Sequence, residues 1–126
     1  MAPRLDPDVD RWLSETNPTL ETAMRGVVEA ILAADRRMTA YLKHGTVQLA
    51  FEGDMAAFVQ PKGDRISLMF NRGAKIVGDF PHLEGDGPTA RFMRFADLAE
   101  VEDLAGELAA VTRAWCEMRA GPDRPA

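Results

Sequence analysis

The sequence contains one cysteine in 126 residues and no long run of apolar residues. A single cysteine excludes a disulfide bond within the chain and suits a reducing compartment. No stretch approaches the roughly 18 apolar residues that cross a membrane, and the N-terminal residues lack the apolar core of a signal peptide. We therefore expect a cytoplasmic protein that does not enter a membrane.

Positive charge is also scarce, because 15 Lys and Arg residues face 20 Asp and Glu residues, which gives a net charge of −5. Affinity for nucleic acid depends on a positive field, so we expect no nucleic-acid partner. The hydrophobic fraction, 46%, is ordinary for a globular domain. We predict one domain over residues 1–126, with its core at about residues 16–118 and a flexible tail at 119–126.

Side chains for nucleophilic catalysis are few. Ser14 and Ser67 are the only serines, and neither lies in the strand–turn–helix context of a nucleophile elbow. Cys116 follows Trp115 near the end of a predicted helix, where the helix dipole raises the pKa of a thiol. The spacing indicates no carboxylate pair and no histidine-centred dyad. We therefore expect a protein that is not an enzyme.

The segment "NPTLETAMRGVVEAILAADRR" has apolar residues at helical spacing and predicts a helix with Asn17 as its N-cap. Gly26 interrupts the apolar face, which favours close packing of another element there. A shorter helical turn over residues 8–14 precedes this helix, with Trp12 and Leu13 turned inward.

The segment "DLAEVEDLAGELAAVTRAWCEM" predicts the C-terminal helix, whose first turn contains the capping-box pair Asp97 and Glu100. Apolar side chains step by three and four residues along this helix and should face the core. They are Leu98, Val101, Leu104, Leu108, Val111, Trp115 and Met118.

Four segments between the helices have strand-like patterns: "TVQLAF", "MAAFVQ", "RISLMF" and "TARFMRF". The turns "EGD" and "PKGD" separate the first three, which indicates an antiparallel sheet. In the last strand Arg91, Met93 and Phe95 should face the helices. The order of elements predicts an α+β two-layer sandwich, in which the N- and C-terminal helices pack on one face of about four to six strands.

Four short motifs follow one another along the chain: "YLKHG", "LMFNRGA", "LEGDG" and "ARFMRFADL". In order and spacing they resemble the YdhG-like family, domain of unknown function 1801, over about residues 16–118. The resemblance implies a frataxin-like fold, with an antiparallel sheet backed by N- and C-terminal helices. Most of that family has no assigned function, and some members are proposed to be iron chaperones that carry iron toward iron–sulfur assembly.

A glycine-rich loop of roughly a dozen residues precedes the last strand and is longer than a hairpin needs. If it folds over the sheet end, basic side chains gather there and suit a carboxylate or a phosphate. In the alternative, Arg91 pairs with Glu84 and the loop is only structural. We expect a non-enzymatic binding domain for a small anionic ligand. The candidate ligand-binding residues are Lys43, His44, Arg72, Lys75, Glu84 and Arg91.

An iron-binding chaperone is the second hypothesis. Glu100, Asp103 and Glu107 share the polar side of the C-terminal helix, and their oxygens could hold iron weakly. A solvated polar face explains the same residues. The two histidines, His44 and His82, lack the spacing of a metal motif, so we favour no metal or cofactor at them.

Self-association is the third hypothesis, because helices on one side of a sheet leave its other face open. That face should contain some of Ala56, Phe58, Met69 and Phe92, which is more apolar than a solvated surface. Methionine and phenylalanine suit a homodimer contact or an adaptable pocket. An ordinary core filled by methionine is the alternative interpretation.

Overall fold

The computed structural model describes residues 5–121, which form three α-helices and five strands in one antiparallel sheet. The helices are α1 (Pro7–Thr16), α2 (Glu21–Ala34) and α3 (Leu98–Ala120). The strands are β1 (Thr39–Lys43), β2 (Thr46–Ala50), β3 (Asp54–Val59), β4 (Ile66–Phe70) and β5 (Arg91–Phe95). A short 3-10 turn, Gly73–Lys75, begins the long loop before β5. This arrangement confirms the predicted α+β class.

The strands lie in the sheet in chain order, each antiparallel to its neighbour. One set of alternating side chains faces the helices and forms the core, as the pattern of β4 predicts. Arg91, which we expected on this face, pairs in register with Phe70 and is half-buried. The buried layer of the sheet contains Val47, Leu49, Ala56, Phe58, Ile66, Leu68, Phe70, Met93 and Phe95.

A β-bulge in β3 changes which side chains face the core. Leu49 pairs with Ala56, whereas the next residue, Ala50, pairs with Asp54, so Met55 is an extra residue in β3. Met55 and Ala56 are both fully buried, because a bulge re-aims the side chains around the extra residue. The side chain of Asp54 therefore contacts polar side chains on the face of the sheet away from the helices.

The face of the sheet away from the helices contains a row of paired residues that crosses all five strands. The row consists of Tyr41, Gln48, Ala57, Met69 and Phe92. This face contains two of the four residues considered for it, Met69 and Phe92, which are half-buried, whereas Ala56 and Phe58 lie in the core. The segment "MAAFVQ" does not alternate between apolar and polar residues, so its pattern cannot indicate which side chains face inward.

The predicted start of the first long helix is wrong, because α2 begins at Glu21. Asn17 instead links the chain to the β3–β4 turn: its side-chain amide donates to the carbonyls of Pro61 at 2.9 Å and Gly63 at 3.0 Å. The oxygen of the same side chain still caps the turn before α2, because it accepts from the Leu20 N–H at 3.3 Å. α1 is longer than the predicted turn and buries Leu13 fully, as expected.

α3 begins with the predicted Asp97 and Glu100 pair, but Glu100 reaches back to the residue before the N-cap and not to the N-cap itself. The Glu100 N–H donates to Asp97 Oδ1 at 3.0 Å, and Glu100 Oε1 accepts from the Ala96 N–H at 2.6 Å. The helix continues through residues 119–120, which we expected in a tail. Gly121 caps the helix, and residues 122–126 of that expected tail lie outside the described residues.

α2 and α3 pack against each other on the sheet. Gly26 lies at their contact, since a Cβ atom built there would be 3.3 Å from side-chain atoms of both Leu98 and Val101. The close packing expected at this glycine is therefore present. Among the helices of residues 5–121, none is both long and apolar enough to cross a membrane.

Candidate ligand-binding site

The long loop between β4 and β5 is held together by backbone contacts and by one arginine. The Ala74 N–H donates to the carbonyl of Thr89 at 2.9 Å, which joins the two ends of the loop. Arg91 Nη1 donates to the carbonyls of Gly87 at 2.7 Å and Ala90 at 2.9 Å. The half-buried guanidinium of Arg91 therefore finds the polar partners that its charge requires in the loop backbone.

Glu84 does not pair with Arg91, which corrects the structural alternative. Its Oε1 accepts from Arg94 Nη1 at 2.9 Å, and its backbone forms a bridge with Phe92 beside β5. Arg91 and Arg94 lie on opposite faces of β5, because side chains alternate along a strand. Glu84 therefore pairs with the arginine on the face away from the helices. Spacing in the sequence alone does not indicate which of the two arginines is its partner.

Lys43 and His44 lie far from this loop. They end β1 and begin the turn to β2, and β1 is the edge of the sheet opposite β5. His44 and Gly45 have positive φ angles of 56° and 76°, as in a two-residue type I′ hairpin turn. Lys43 Nζ pairs with Asp54 Oδ2 at 3.1 Å. The sheet therefore separates these residues from Arg72, and the expected cluster of all the basic residues does not form.

Arg72 and Lys75 instead meet Arg119 at a cavity of about 300 Å³, the basic groove. Arg72 precedes the 3-10 turn, Lys75 ends it, and Arg119 lies in the last turn of α3. Thr89 and Met118 complete the lining. Among the described residues, no carboxylate lines the groove, and neither Arg72 nor Lys75 forms a salt bridge. The groove thus concentrates positive charge in an acidic protein.

A second cavity of about 210 Å³, the adjoining cavity, meets the basic groove at Arg72 and Arg119. Arg119 Nε donates to the carbonyl of Glu52 at 2.8 Å, and its guanidinium lies 5.4 Å from the ring of Trp115. The indole N–H of Trp115 in turn donates to the Phe51 carbonyl at 3.0 Å. These contacts fix the wall between the two cavities. The adjoining cavity is lined by Gly53, Asp54, Asn71, Arg72, Trp115 and Arg119.

Asp54 is the acidic group of the adjoining cavity. Burial by itself would raise the pKa of its carboxyl group, but hydrogen bonds from Tyr41 and Lys43 outweigh burial and lower that pKa. The bond to Asp54 also raises the pKa of the Tyr41 phenol. Asp54 therefore keeps its negative charge at neutral pH, and its carboxylate is bonded to side chains of β1.

The acidic residues considered for iron do not converge on one point. Glu107 accepts from the His82 N–H at 2.7 Å and lies 2.8 Å from His82 Nδ1, while Glu100 caps α3. Glu100 and Asp103 line a cavity of about 530 Å³ that also contains two arginines, whose charge opposes a cation. In the part of the chain that the structure describes, no three His, Cys, Asp or Glu side chains could hold a metal ion. The iron hypothesis gains no support from this geometry.

The thiol of Cys116 is buried inside the helical layer. Burial, and to a lesser extent the charge of Asp35, raises the pKa of this thiol to about 12. A thiol is nucleophilic only as the thiolate, so Cys116 is inert at neutral pH.

Sequence reasoning identified two residues of the basic groove, Arg72 and Lys75, and missed Arg119. The sequence does contain a signal for it, because Arg119 follows Trp115 by four residues and a helix places such residues on the same side. A flexible tail that begins at residue 119 could not hold a side chain in a binding site, and the sequence predicts such a tail.

Comparisons with protein-family models, with curated proteins and with solved structures found no match. The resemblance to the YdhG-like family therefore stays a prediction.

Proposed function

We propose that this protein is a non-enzymatic binding module whose basic groove holds a small molecule through a carboxylate or phosphate group. The proposal rests on Arg72, Lys75 and Arg119, which line one cavity that has no carboxylate among its described lining residues. Arginine offers paired N–H donors to a carboxylate or phosphate, and lysine adds a mobile point charge. A bound anion would supply the negative charge that these side chains lack.

The size and exposure of the groove limit the kind of ligand. Its volume of about 300 Å³ suits one small molecule. Met118 offers an apolar contact, and the Thr89 hydroxyl offers one hydrogen bond. The three basic side chains belong to exposed residues, so their attraction to an anion is weakened by water and screened by salt. We expect modest affinity that falls as the salt concentration rises.

An NMR titration of the ¹⁵N-labelled protein with inorganic phosphate, and separately with butyrate, tests this function. We expect shifts concentrated at the backbone amides of Arg72, Lys75 and Arg119, with weaker binding at higher sodium chloride concentration. Arg72→Gln should weaken binding at least about threefold, because a charged hydrogen bond is lost. Lys62→Gln, an equal change of charge in the β3–β4 turn at the other end of β4, should not. Unchanged amide shifts with both anions, or equal weakening by both variants, would contradict the proposal.

Three broader expectations accompany this function as proposals. Membership of the YdhG-like family is supported only at the level of fold class, since helices at both ends of an antiparallel sheet are what the resemblance implies. A homodimer through the face that contains Met69 and Phe92 stays a prediction, as does a cytoplasmic location.

A further inference from the structure

β1 is an edge strand of the sheet, and some of its backbone groups have no partner there. Lys43 and Thr46 flank the two-residue turn to β2, and residues in this position form a hydrogen-bonded pair. Hydrogen-bonded pairs alternate along an antiparallel ladder, so the N–H and C=O groups of Ala40 and Leu42 point away from β2. Among residues 5–121, no backbone group outside the sheet bonds to either residue. Such an edge can pair with a further strand.

Leu42 is also exposed through its side chain. Ala40 and Leu42 pair in register with Leu49 and Val47, whose fully buried side chains face the helices. Paired side chains lie on the same face of a sheet, so Ala40 and Leu42 point toward the helical side as well. Leu42 nevertheless is 38% exposed, whereas most large hydrophobic side chains of the described residues are covered. An apolar side chain on the core side of the sheet is therefore left partly in water.

A cavity of about 390 Å³, the edge cavity, lies beside the start of β1. Thr39 and Ala40 line it from the strand, and Leu5, Leu32 and Met38 provide apolar walls. The lining is completed by two charged residues, Asp6 and Arg36. Ala40 contributes only a methyl group, so β1 itself does not fill the space next to the strand. The edge cavity can therefore accept an apolar side chain that approaches along the free edge of the sheet.

We propose that a second copy of this chain pairs antiparallel with β1, and that each copy places its Leu42 at the edge cavity of the other. β1 has five residues, so full overlap of two antiparallel copies puts the two-fold axis at Tyr41. In that register Ala40 pairs with the partner's Leu42, and their outward N–H and C=O groups bond to each other. The sheets of the two copies become continuous, with the helices on the same face.

Features of β1 itself favour a second copy over an unrelated strand. Leu42 and Ala40 lie symmetrically about Tyr41, so one two-fold axis covers the exposed leucine and fills the cavity in both copies. Lys43 is the only charged residue of β1 and lies opposite the partner's Thr39, so no like charges meet across the axis. The interface is small compared with the roughly 1,000 Å² of a stable complex, so we expect a weak dimer.

Sedimentation equilibrium of the native protein up to about 1 mM tests self-association, because a dimer with a small interface forms only at high concentration. We expect the average mass to rise from that of one chain toward that of two. Amide hydrogen exchange, measured by NMR at low and high concentration, locates the contact. The amides of Ala40 and Leu42 should exchange more slowly at high concentration, while Tyr41, whose N–H already bonds to β2, should change less.

Two variants of β1 and a matched control identify the interface. Leu42→Lys should weaken association at least about tenfold, because it places a charge against apolar walls. Val77→Lys makes the same change of charge at an exposed apolar residue of the loop before β5, and it should leave association unchanged. Ala40→Pro keeps Leu42 but removes one outward N–H, a change that an edge strand tolerates, and it should also weaken association. Circular dichroism shows whether each variant is folded, and Leu42→Lys still tests the interface if Ala40→Pro is not.

The results decide between β1 and other surfaces. Weaker association in Leu42→Lys and Ala40→Pro, but not in Val77→Lys, supports pairing through β1. A native protein that stays monomeric over the whole concentration range would overturn the inference. Association that survives Leu42→Lys but is lost in Met69→Lys would place the dimer on the other face of the sheet and contradict it. None of these results depends on anion binding, so the proposed function is tested separately.

Discussion

At the scale of single residues, Arg37 joins three parts of the molecule. Its Nε and Nη2 donate to the two carboxylate oxygens of Asp35 at 2.9 and 2.8 Å, and Nη2 also lies 3.1 Å from Glu117 of α3. The guanidinium lies 5.3 Å from the ring centroid of Phe51, which follows β2. Asp35 directly follows α2, so one side chain connects the end of α2 with α3 and the sheet.

This contact predicts a pH dependence of stability. Hydrogen bonds from the Arg37 side chain lower the pKa of Asp35 from 3.8 to about 2. Because the pKa is lower in the folded state, the carboxylate stabilises the fold fully above about pH 4, and this contribution is lost as the pH falls toward about 2. Urea denaturation of the native protein and Asp35→Asn should show a constant gap in the free energy of unfolding near neutral pH, which narrows below about pH 4.

A variant in an exposed turn serves as the control for this prediction. Asp64→Asn makes the same change of charge in the β3–β4 turn, away from Arg37, and should not reproduce the narrowing. A gap between the native protein and Asp35→Asn that stays the same down to about pH 2 would show that the ion pair is not coupled to folding.

At the scale of secondary-structure elements, two glycines in helices give a matched pair. Gly26 of α2 faces α3, whereas a Cβ atom at Gly106 of α3 would have no neighbour within 4 Å. Replacement by alanine removes the same glycine penalty of about 1 kcal/mol from each helix. Gly106→Ala should therefore stabilise the protein by about 0.5–1 kcal/mol. At Gly26 the added methyl group crowds Leu98 and Val101, and overpacking costs about 1–3 kcal/mol.

We expect Gly26→Ala to have a lower free energy of unfolding than Gly106→Ala by about 1 kcal/mol or more, as measured by urea denaturation. Equal stabilisation by the two substitutions would mean that α2 and α3 are not in close contact at Gly26.

The elements also show where a sequence pattern is informative and where it is not. α3 can be predicted from the sequence because its apolar residues recur at helical spacing over more than twenty positions and Asp97 provides a clear cap. β1 has no such signal: as an edge strand its residues are exposed or half-buried and do not alternate. The sequence likewise gives no signal for the bulge at Met55. β3 is apolar at nearly every position, so an extra residue does not interrupt any alternation of apolar and polar residues.

At the scale of the whole molecule, Trp115 is the largest fully buried side chain and connects α3 with the sheet through the Phe51 carbonyl. Trp115→Ala should lower the free energy of unfolding by about 3–5 kcal/mol, because the cavity it leaves cannot be refilled. Trp12 remains as a fluorescent probe for chemical denaturation. An unchanged midpoint for Trp115→Ala would contradict the packing of α3 on the sheet.

The binding site is less predictable than the fold because it depends on the order of strands. The sequence indicates that Arg72, Lys75 and Lys43 are near strand ends, but it does not say which ends are neighbours. Chain order in the sheet puts β1 and β5 at opposite edges, which removes Lys43 and His44 from the groove. Arg119 enters the groove only because α3 extends two residues beyond its expected end and lies against the loop after β4.

The chain-order sheet also has a consequence for how the protein folds. Each strand pairs with the strand next to it in the sequence, so β1 to β4 can assemble through short-range hairpins, whose closure costs little chain entropy, and only β5 is added across the long loop. The contact between α2 and α3 joins segments separated by the entire sheet, and its closure is the more costly step. We expect the hairpins to be formed in the folding transition state and the helix pair to dock after it. Stopped-flow kinetics of Gly26→Ala should then show a change in the unfolding rate, while a change in the folding rate alone would reverse this order.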